Sequence, residues 1–352
     1  MLDPLSDSFL HWIEAYHQLV LLGVKSAEMQ TKILLHLKRF TAFFQERYGH
    51  DRLSIGLKRD VLAWRELLVE QGLAPATVNN HMASLSAFTA WVVIQAPSAF
   101  ALGDPCKGIR ELPLPALEPR ALSERQIVSL KNICDRLPHL RQLKGRRHQK
   151  KPAQVKVVRS NARPWRDRAM VFFLLSTGLR REELITLNLQ QLSQQTPDDL
   201  RKAKRVRVNE VKGKGQTQRH VFLSLDARQA LADYLEQERP LDASAEEDAS
   251  PLFLSAASSP MRQADGRLSV RSINLILEQI GRLHDAEISD PERHISPLRP
   301  HDLRHTFAFQ LAQSTGSDAY ELERRLGHRS QRYIQRYTNP PEEIAASYIE
   351  DF

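Results

Sequence analysis

Cysteine is nearly absent from this sequence of 352 residues, where Cys106 and Cys134 are the only two. Two thiols are too few for a disulfide framework or a thiolate metal site, and a reducing compartment is the simplest reading. Long apolar runs are absent as well. The longest, Ala169 to Leu175, falls far short of the roughly 20 residues that cross a bilayer, so no membrane partner is expected. The opening MLDPLSDSF is acidic and leads into amphipathic sequence, which fits neither a secretory signal nor a transit peptide, and a cytoplasmic location is expected. No segment repeats at a fixed period, which argues against a solenoid. What is present is ordinary globular material, with 41% hydrophobic and 26% charged residues. That balance excludes wholesale disorder, and the length suits two domains of roughly 100 to 200 residues each.

Acidic residues are missing from one stretch in particular. Residues 141 to 166, RQLKGRRHQKKPAQVKVVRSNARPWR, hold ten Lys or Arg and no Asp or Glu. Taking those ten from the 50 basic residues leaves 40 against 42 acids, so the net charge of +8 is local. A concentrated cationic segment is expected to meet a polyanion, and nucleic acid is the leading partner class. Arg146, Arg147, Lys150, Lys151 and Arg159 are the candidate DNA contacts, expected to grip phosphates rather than read bases.

The first hundred residues read as four helices. Met29, Ile33, Leu37, Phe40 and Phe44 recur at three- and four-residue steps between a Ser26 cap and a Gly49 stop, and Val78, Met82, Leu85, Thr89 and Val92 mark another stripe. Segments 8 to 22 and 58 to 71 complete the set. Residues 97 to 120 carry five prolines, which suits an extended connection. The expected boundaries are a helical domain at 1–105, a linker at 106–121 and a second domain at 122–352. In the second, Ser123 caps a helix running to about Leu137, a basic insertion spans about 139–163, and an apolar helix covers 165 to 177. Alternating Val206, Val208, Val211 and Val221, Leu223, Leu225 flank VKGKGQTQ, a hairpin signal. Helices return at 227 to 239 and 269 to 284. The expected fold is mainly α with a small antiparallel β-sheet.

Four short stretches of the second domain carry possible chemistry: TGLRREEL at 177–184, KGKG at 212–215, HDLRH at 301–305, and LGH at 326–328 with Tyr337 nine residues beyond. On a helix, His301, Arg304 and His305 share one face; His305 is expected to be a hydrogen-bonded core residue. In this order and spacing the four stretches resemble the tyrosine recombinase, or phage integrase-like, family. The resemblance implies an N-terminal core-binding domain, a C-terminal catalytic domain and a catalytic set of Arg180, Lys214, His301, Arg304, His328 and the nucleophile Tyr337. It also implies cleavage and rejoining of double-stranded DNA at specific sites through a 3′-phosphotyrosyl link by a synaptic homo-tetramer, with no cofactor and no metal.

The chemistry asks for these residue types independently. Phosphodiester cleavage without a metal needs charge neutralised on the non-bridging oxygens, which Arg180 and Arg304 can do by bidentate hydrogen bonds. A tyrosine ionising near pH 10 needs help to lose its proton, and His301 is the candidate base. The leaving 5′ oxygen needs a proton, which a lysine at a hairpin tip can deliver; Lys214 is favoured and Lys212 competes. His328 would donate to a phosphate oxygen, while Glu183 braces its helix rather than reacts. One straight helix would put His328 and Tyr337 on opposite faces, so the chain is expected to break at RSQR. Tyr333 and Tyr348 miss the family spacing.

Integration, excision or transposition of a mobile element is the favoured role, because the basic insertion departs from shorter relatives. Xer-type resolution of chromosome or plasmid dimers, and strand nicking and closing of the type IB topoisomerase kind, are the alternatives. The stripe of Ile344, Tyr348 and Phe352 after Tyr337 would dock on a neighbouring protomer or on its own. The helical segment starts almost at Met1, so no arm-type domain is expected.

Overall fold

The computed structural model describes residues 6–114, 120–146, 162–213, 217–243 and 250–327, and for 140–146 the backbone alone. Two compact units divide the chain at Leu117 and Glu118.

The first unit is built on α1 (Phe9–Tyr16), which passes into one π turn, α2 (Ala27–Tyr48), α3 (Lys58–Glu70) and α4 (Pro75–Gln95). The caps of α2 fall where the sequence puts them: Ser26 Oγ accepts the Met29 amide, and Gly49 closes the helix in the left-handed region at φ 74°. Leu37, Phe40 and Phe44 face a core shared with Phe9, Trp12, Trp64 and Phe88. Residues 106 to 112, read from sequence as linker, pack onto this core instead. Cys106 is buried, Ile109 and Leu112 lie against the cluster, and the Asn79 side chain exchanges two hydrogen bonds with the Leu112 backbone at 2.9 and 2.8 Å. Pro105 and Pro113 flank this stretch, and neither prevents the burial of the apolar residues between them.

The second unit begins with α5 (Glu124–Arg146) and α6 (Pro164–Thr177). Expected to stop near Leu137, α5 carries Pro138 within it and runs on to Arg146, so the first part of the basic stretch is helical. Every residue from Ala169 to Leu175 is buried, because α6 packs on α5, on α9 (Leu225–Gln237) and on α12 (Pro300–Ser314). That is why this helix is apolar all round rather than striped. Between α6 and α9 come α7 (Arg181–Thr186), α8 (Pro197–Lys202), β1 (Val206–Lys212) and β2 (Gln218–Leu223); α10 (Arg239–Asp242), α11 (Val270–Asp285) and α13 (Ala319–Leu326) complete the unit. The two strands pair antiparallel, Val206 against Leu223 and Val211 against Arg219, with an irregularity after Val208 where Glu210 takes φ 50°. Leu225, expected to extend the second strand, opens α9 and is exposed.

Two of the ten cations in the basic stretch are structural. Arg163 clasps Asp242 through Nε and Nη2 at 2.6 and 2.7 Å, Arg166 bonds Asp167 at 2.7 Å, and all four side chains are buried. Their pairs fasten the start of α6, which corrects the reading of the whole 141–166 stretch as a phosphate-contact segment. A desolvated guanidinium needs a carboxylate and takes one when it is near.

Gly178 ends α6 in the left-handed region at φ 59°, and a Cβ there would lie 2.3 Å from Phe307 Cδ1. Gly178→Ala therefore meets both backbone strain and a core clash, and is expected to cost about 2 to 4 kcal/mol in denaturant unfolding.

Candidate active site

The residues of the four stretches come from the ends of different elements. Arg180 is the N-cap residue of α7, immediately after the Gly178 turn. His301 and Arg304 lie in the first turns of α12, whose start is fixed by Pro300 and by the Asp302 carboxylate accepting the Arg299 amide at 2.8 Å. KGKG begins at the end of β1, and LGH begins at the end of α13, where Gly327 takes φ 63°.

Arg304 ties two of these ends together from inside. It is 3% exposed, and its fork donates from Nη1 to the Gly178 carbonyl at 2.5 Å and from Nη2 to the Leu326 carbonyl at 2.6 Å. The turn before Arg180 and the last residue of α13 are thereby held by one planar group. His301 stands at the exposed rim of the same helix, with its ring centroid 6.3 Å from that of His305. Partial burial, then the charges of Arg304, Arg181 and Arg180, hold the His301 imidazole below its ordinary value, against an opposing pull from Glu182. At neutral pH the ring is uncharged and can accept a proton. A proton NMR titration of the DNA-free protein should place its midpoint below 6.5, and Arg181→Ala, by removing a nearby cation, should move the midpoint up. His305 is half-buried at the helix flank, less enclosed than the core position expected for it.

Glu183 lies under Arg180. Its Oε1 accepts from Arg180 Nη1 and Arg219 Nη1, both at 2.9 Å, and its Oε2 accepts from the Arg180 amide at 2.8 Å and Arg219 Nη2 at 2.7 Å. Burial pushes this carboxyl up, but the Arg219 fork and charge, with the amide and charge of Arg180, more than reverse it, and the group stays below its ordinary range. With its four lone-pair directions taken, Glu183 has no acceptor left for chemistry, and its bracing role follows.

Arg219 is the residue that sequence reasoning missed. It is 9% exposed in β2, and besides gripping Glu183 it donates from Nε to the Arg325 carbonyl at 2.8 Å. The signal was there to be read: a period of two puts Arg219 on the inward face of β2 with Val221 and Leu223, all three buried. A charge on that face must find a partner.

Of the sequence-derived candidates, Arg180, His301 and Arg304 fall among the described residues. Lys214, His328 and Tyr337 lie outside them, as do Arg147, Lys150, Lys151 and Arg159 and the decoys Tyr333 and Tyr348; Arg146 is described as helix backbone only. The break expected at RSQR also lies outside. Lys212 is exposed at the end of β1, opposite Gln218. Among the described residues no group of three metal-ligating side chains converges, and no helix is long and apolar enough to cross a membrane.

Residues 147–343 match the phage integrase family. Tyrosine recombinase XerC of Bifidobacterium longum is 30% identical over 188 residues, 52% of this chain and 45% of that one. Tyrosine recombinase XerC of Ralstonia pickettii is 28% identical over 275 residues, covering 76% and 70%. The chain thus spans about half the length of the first of these relatives. In fold it is similar to the Tn1549 transposon integrase in complex with a circular intermediate DNA, with a TM-score of 0.66 at 16% identity over 99% of this chain and 100% of that one. It is also similar to the XerH site-specific recombinase bound to palindromic difH substrate, with a TM-score of 0.61 at 19% identity over 99% of both. With the family matched across more than half its length, and with a fold similar to those enzymes, the chain belongs to the phage integrase family of tyrosine recombinases.

Proposed function

We propose that this chain is a site-specific DNA recombinase that cuts and rejoins strands through a 3′-phosphotyrosyl intermediate. The observation that carries the reading is the convergence of Arg180, Arg304 and His301, from two helix starts, around the ends of the β1–β2 hairpin and α13. Those two ends lead into Lys214 and into His328 and Tyr337. In the reaction the Tyr337 oxygen attacks the scissile phosphorus while the bond from phosphorus to the 5′ oxygen breaks. The tyrosine proton passes to neutral His301, Lys214 protonates the departing 5′ oxygen, Arg180 and His328 hold the non-bridging oxygens, and the Arg304 guanidinium adds its positive charge from beneath them. A 5′ hydroxyl of a second strand then reverses the sequence, and no external energy source is consumed.

DNA bearing specific recombination sites is the partner this chemistry requires, with four protomers at a synapse to exchange two pairs of strands. Residues 1–105 would serve as the core-binding domain and 122–352 as the catalytic domain. Arg146, Arg147, Lys150, Lys151 and Arg159 would add phosphate contacts, supported by a cation density with no acid to offset it. The favoured biological role is movement of a mobile element, and the likeness to a transposon integrase agrees with it. The XerC relatives favour dimer resolution as the second reading.

The test of the class is to incubate the protein with duplex fragments from either side of its own gene. A covalent adduct at a discrete position, leaving a free 5′ hydroxyl and a blocked 3′ end, is expected. Cleavage that leaves a 5′ phosphate, or that needs a divalent metal, would overturn it.

A further inference from the structure

The first glycine of KGKG and the glycine of LGH both lie against one side chain. A Cβ on Gly213 would meet Thr217 Oγ1 first, at 2.7 Å, then Arg219 Nη1 at 3.4 Å and Glu183 Oε1 at 3.5 Å, and a Cβ on Gly327 would lie 3.0 Å from Arg219 Nη1. Gly213 also donates its amide to the Thr217 carbonyl at 2.7 Å, which closes the base of the turn beside the same guanidinium. Arg219 is therefore the body on which three segments close: the start of α7 through Glu183, the hairpin end through Gly213, and the end of α13 through the Arg325 carbonyl and Gly327.

The charge count gives this geometry a consequence for Arg180. Glu183 is 4% exposed and carries one negative charge against two guanidinium groups. Arg219 takes both carboxylate oxygens end-on, through Nη1 and Nη2, whereas the Arg180 guanidinium takes one oxygen through Nη1 alone. The buried acid is thus balanced chiefly by Arg219, and the positive charge of Arg180, whose side chain is 25% exposed, remains for an anion at the surface. Without Arg219 the carboxylate would be left with Arg180 as its remaining cationic partner among the described residues. It would draw that guanidinium inward and cancel its charge.

Resting on the function proposed above, we infer that Arg219 is a positioning residue for transition-state stabilisation. By neutralising and orienting Glu183 it keeps the Arg180 charge and fork directed at the scissile phosphate. Arg219 does not itself touch the DNA in this account.

The test uses two substrates and one protein preparation. A methylphosphonate at the scissile position replaces a charged non-bridging oxygen with a neutral methyl group, so attack on it needs no arginine to cancel that charge. Single-turnover cleavage of the natural phosphodiester and of the methylphosphonate is measured for wild type, Arg219→Gln, Arg219→Lys and Arg180→Ala on the full chain. The ratio of the two rates does not depend on how much of a variant is folded. Arg219→Gln should slow phosphodiester cleavage by about 10- to 100-fold while the deficit on the methylphosphonate shrinks to about threefold or less. Arg219→Lys, which keeps a charge but cannot form the fork, should fall between. Equal losses of Arg219→Gln on both substrates, or a rate within about twofold of wild type on the phosphodiester, would overturn the inference while rescue of Arg180→Ala stands. If Arg180→Ala is not rescued either, the phosphate role of Arg180 fails and this inference fails with it.

Discussion

Tyr337→Phe is expected to abolish covalent trapping on a nicked duplex while leaving DNA affinity within about threefold of wild type. The substitution removes one oxygen. That oxygen would be the nucleophile, so the loss should be on the order of 10⁴-fold or more. Tyr333 and Tyr348 stand five and twenty residues past His328, and their Phe variants should trap DNA nearly as well as wild type. Denaturing electrophoresis of labelled substrate reads the adduct directly. If Tyr337→Phe still traps DNA and Tyr333→Phe does not, the nucleophile is misassigned.

The second large effect concerns protonation of the leaving group. Lys214→Ala should slow cleavage of an ordinary phosphodiester by about 10² to 10⁴-fold, the usual contribution of a general acid. A substrate with sulfur in place of the 5′-bridging oxygen expels a thiolate, which needs no proton. On that substrate the Lys214→Ala enzyme should recover to within about tenfold of wild type, while Arg180→Ala and Arg304→Ala, which lack charge stabilisation rather than a proton, should not. Lys212 is the internal control, because it ends β1 exposed and opposite Gln218. Rescue of Lys212→Ala in place of Lys214→Ala would move the acid two residues upstream. The two phosphate analogues report on separate groups, since bridging sulfur reports the proton donor and the neutral methyl group reports the arginines.

Much of the architecture is legible in the sequence because it rests on local rules. Ser26 and Gly49 bracket α2 as cap and stop, the stripe from Val78 to Val92 faces the first core, and the period of two in Val206, Val208 and Val221, Leu223 marks the hairpin. These depend on neighbours three or four residues away, or on a turn, and so survive without knowledge of the fold. The order and spacing of TGLRREEL, KGKG, HDLRH and LGH likewise carry the family and its candidate residues.

Tertiary structure alone decided what each side chain meets. Nothing local says that Arg163 leaves the cationic stretch to pair with Asp242, or that Arg166, beside Asp167 in sequence, also donates to the Leu254 carbonyl, yet burial demands such partners. Nor does it say that residues 106 to 112 should leave the connection and cover the first core. The Glu183–Arg219 pair joins positions 36 residues apart, Arg304 reaches the Gly178 carbonyl across 126 and the Leu326 carbonyl across 22. Sequence shows which residue types could serve a phosphate. Their orientation comes from buried charges that must be paired across long separations, and pairing is settled only when the elements pack.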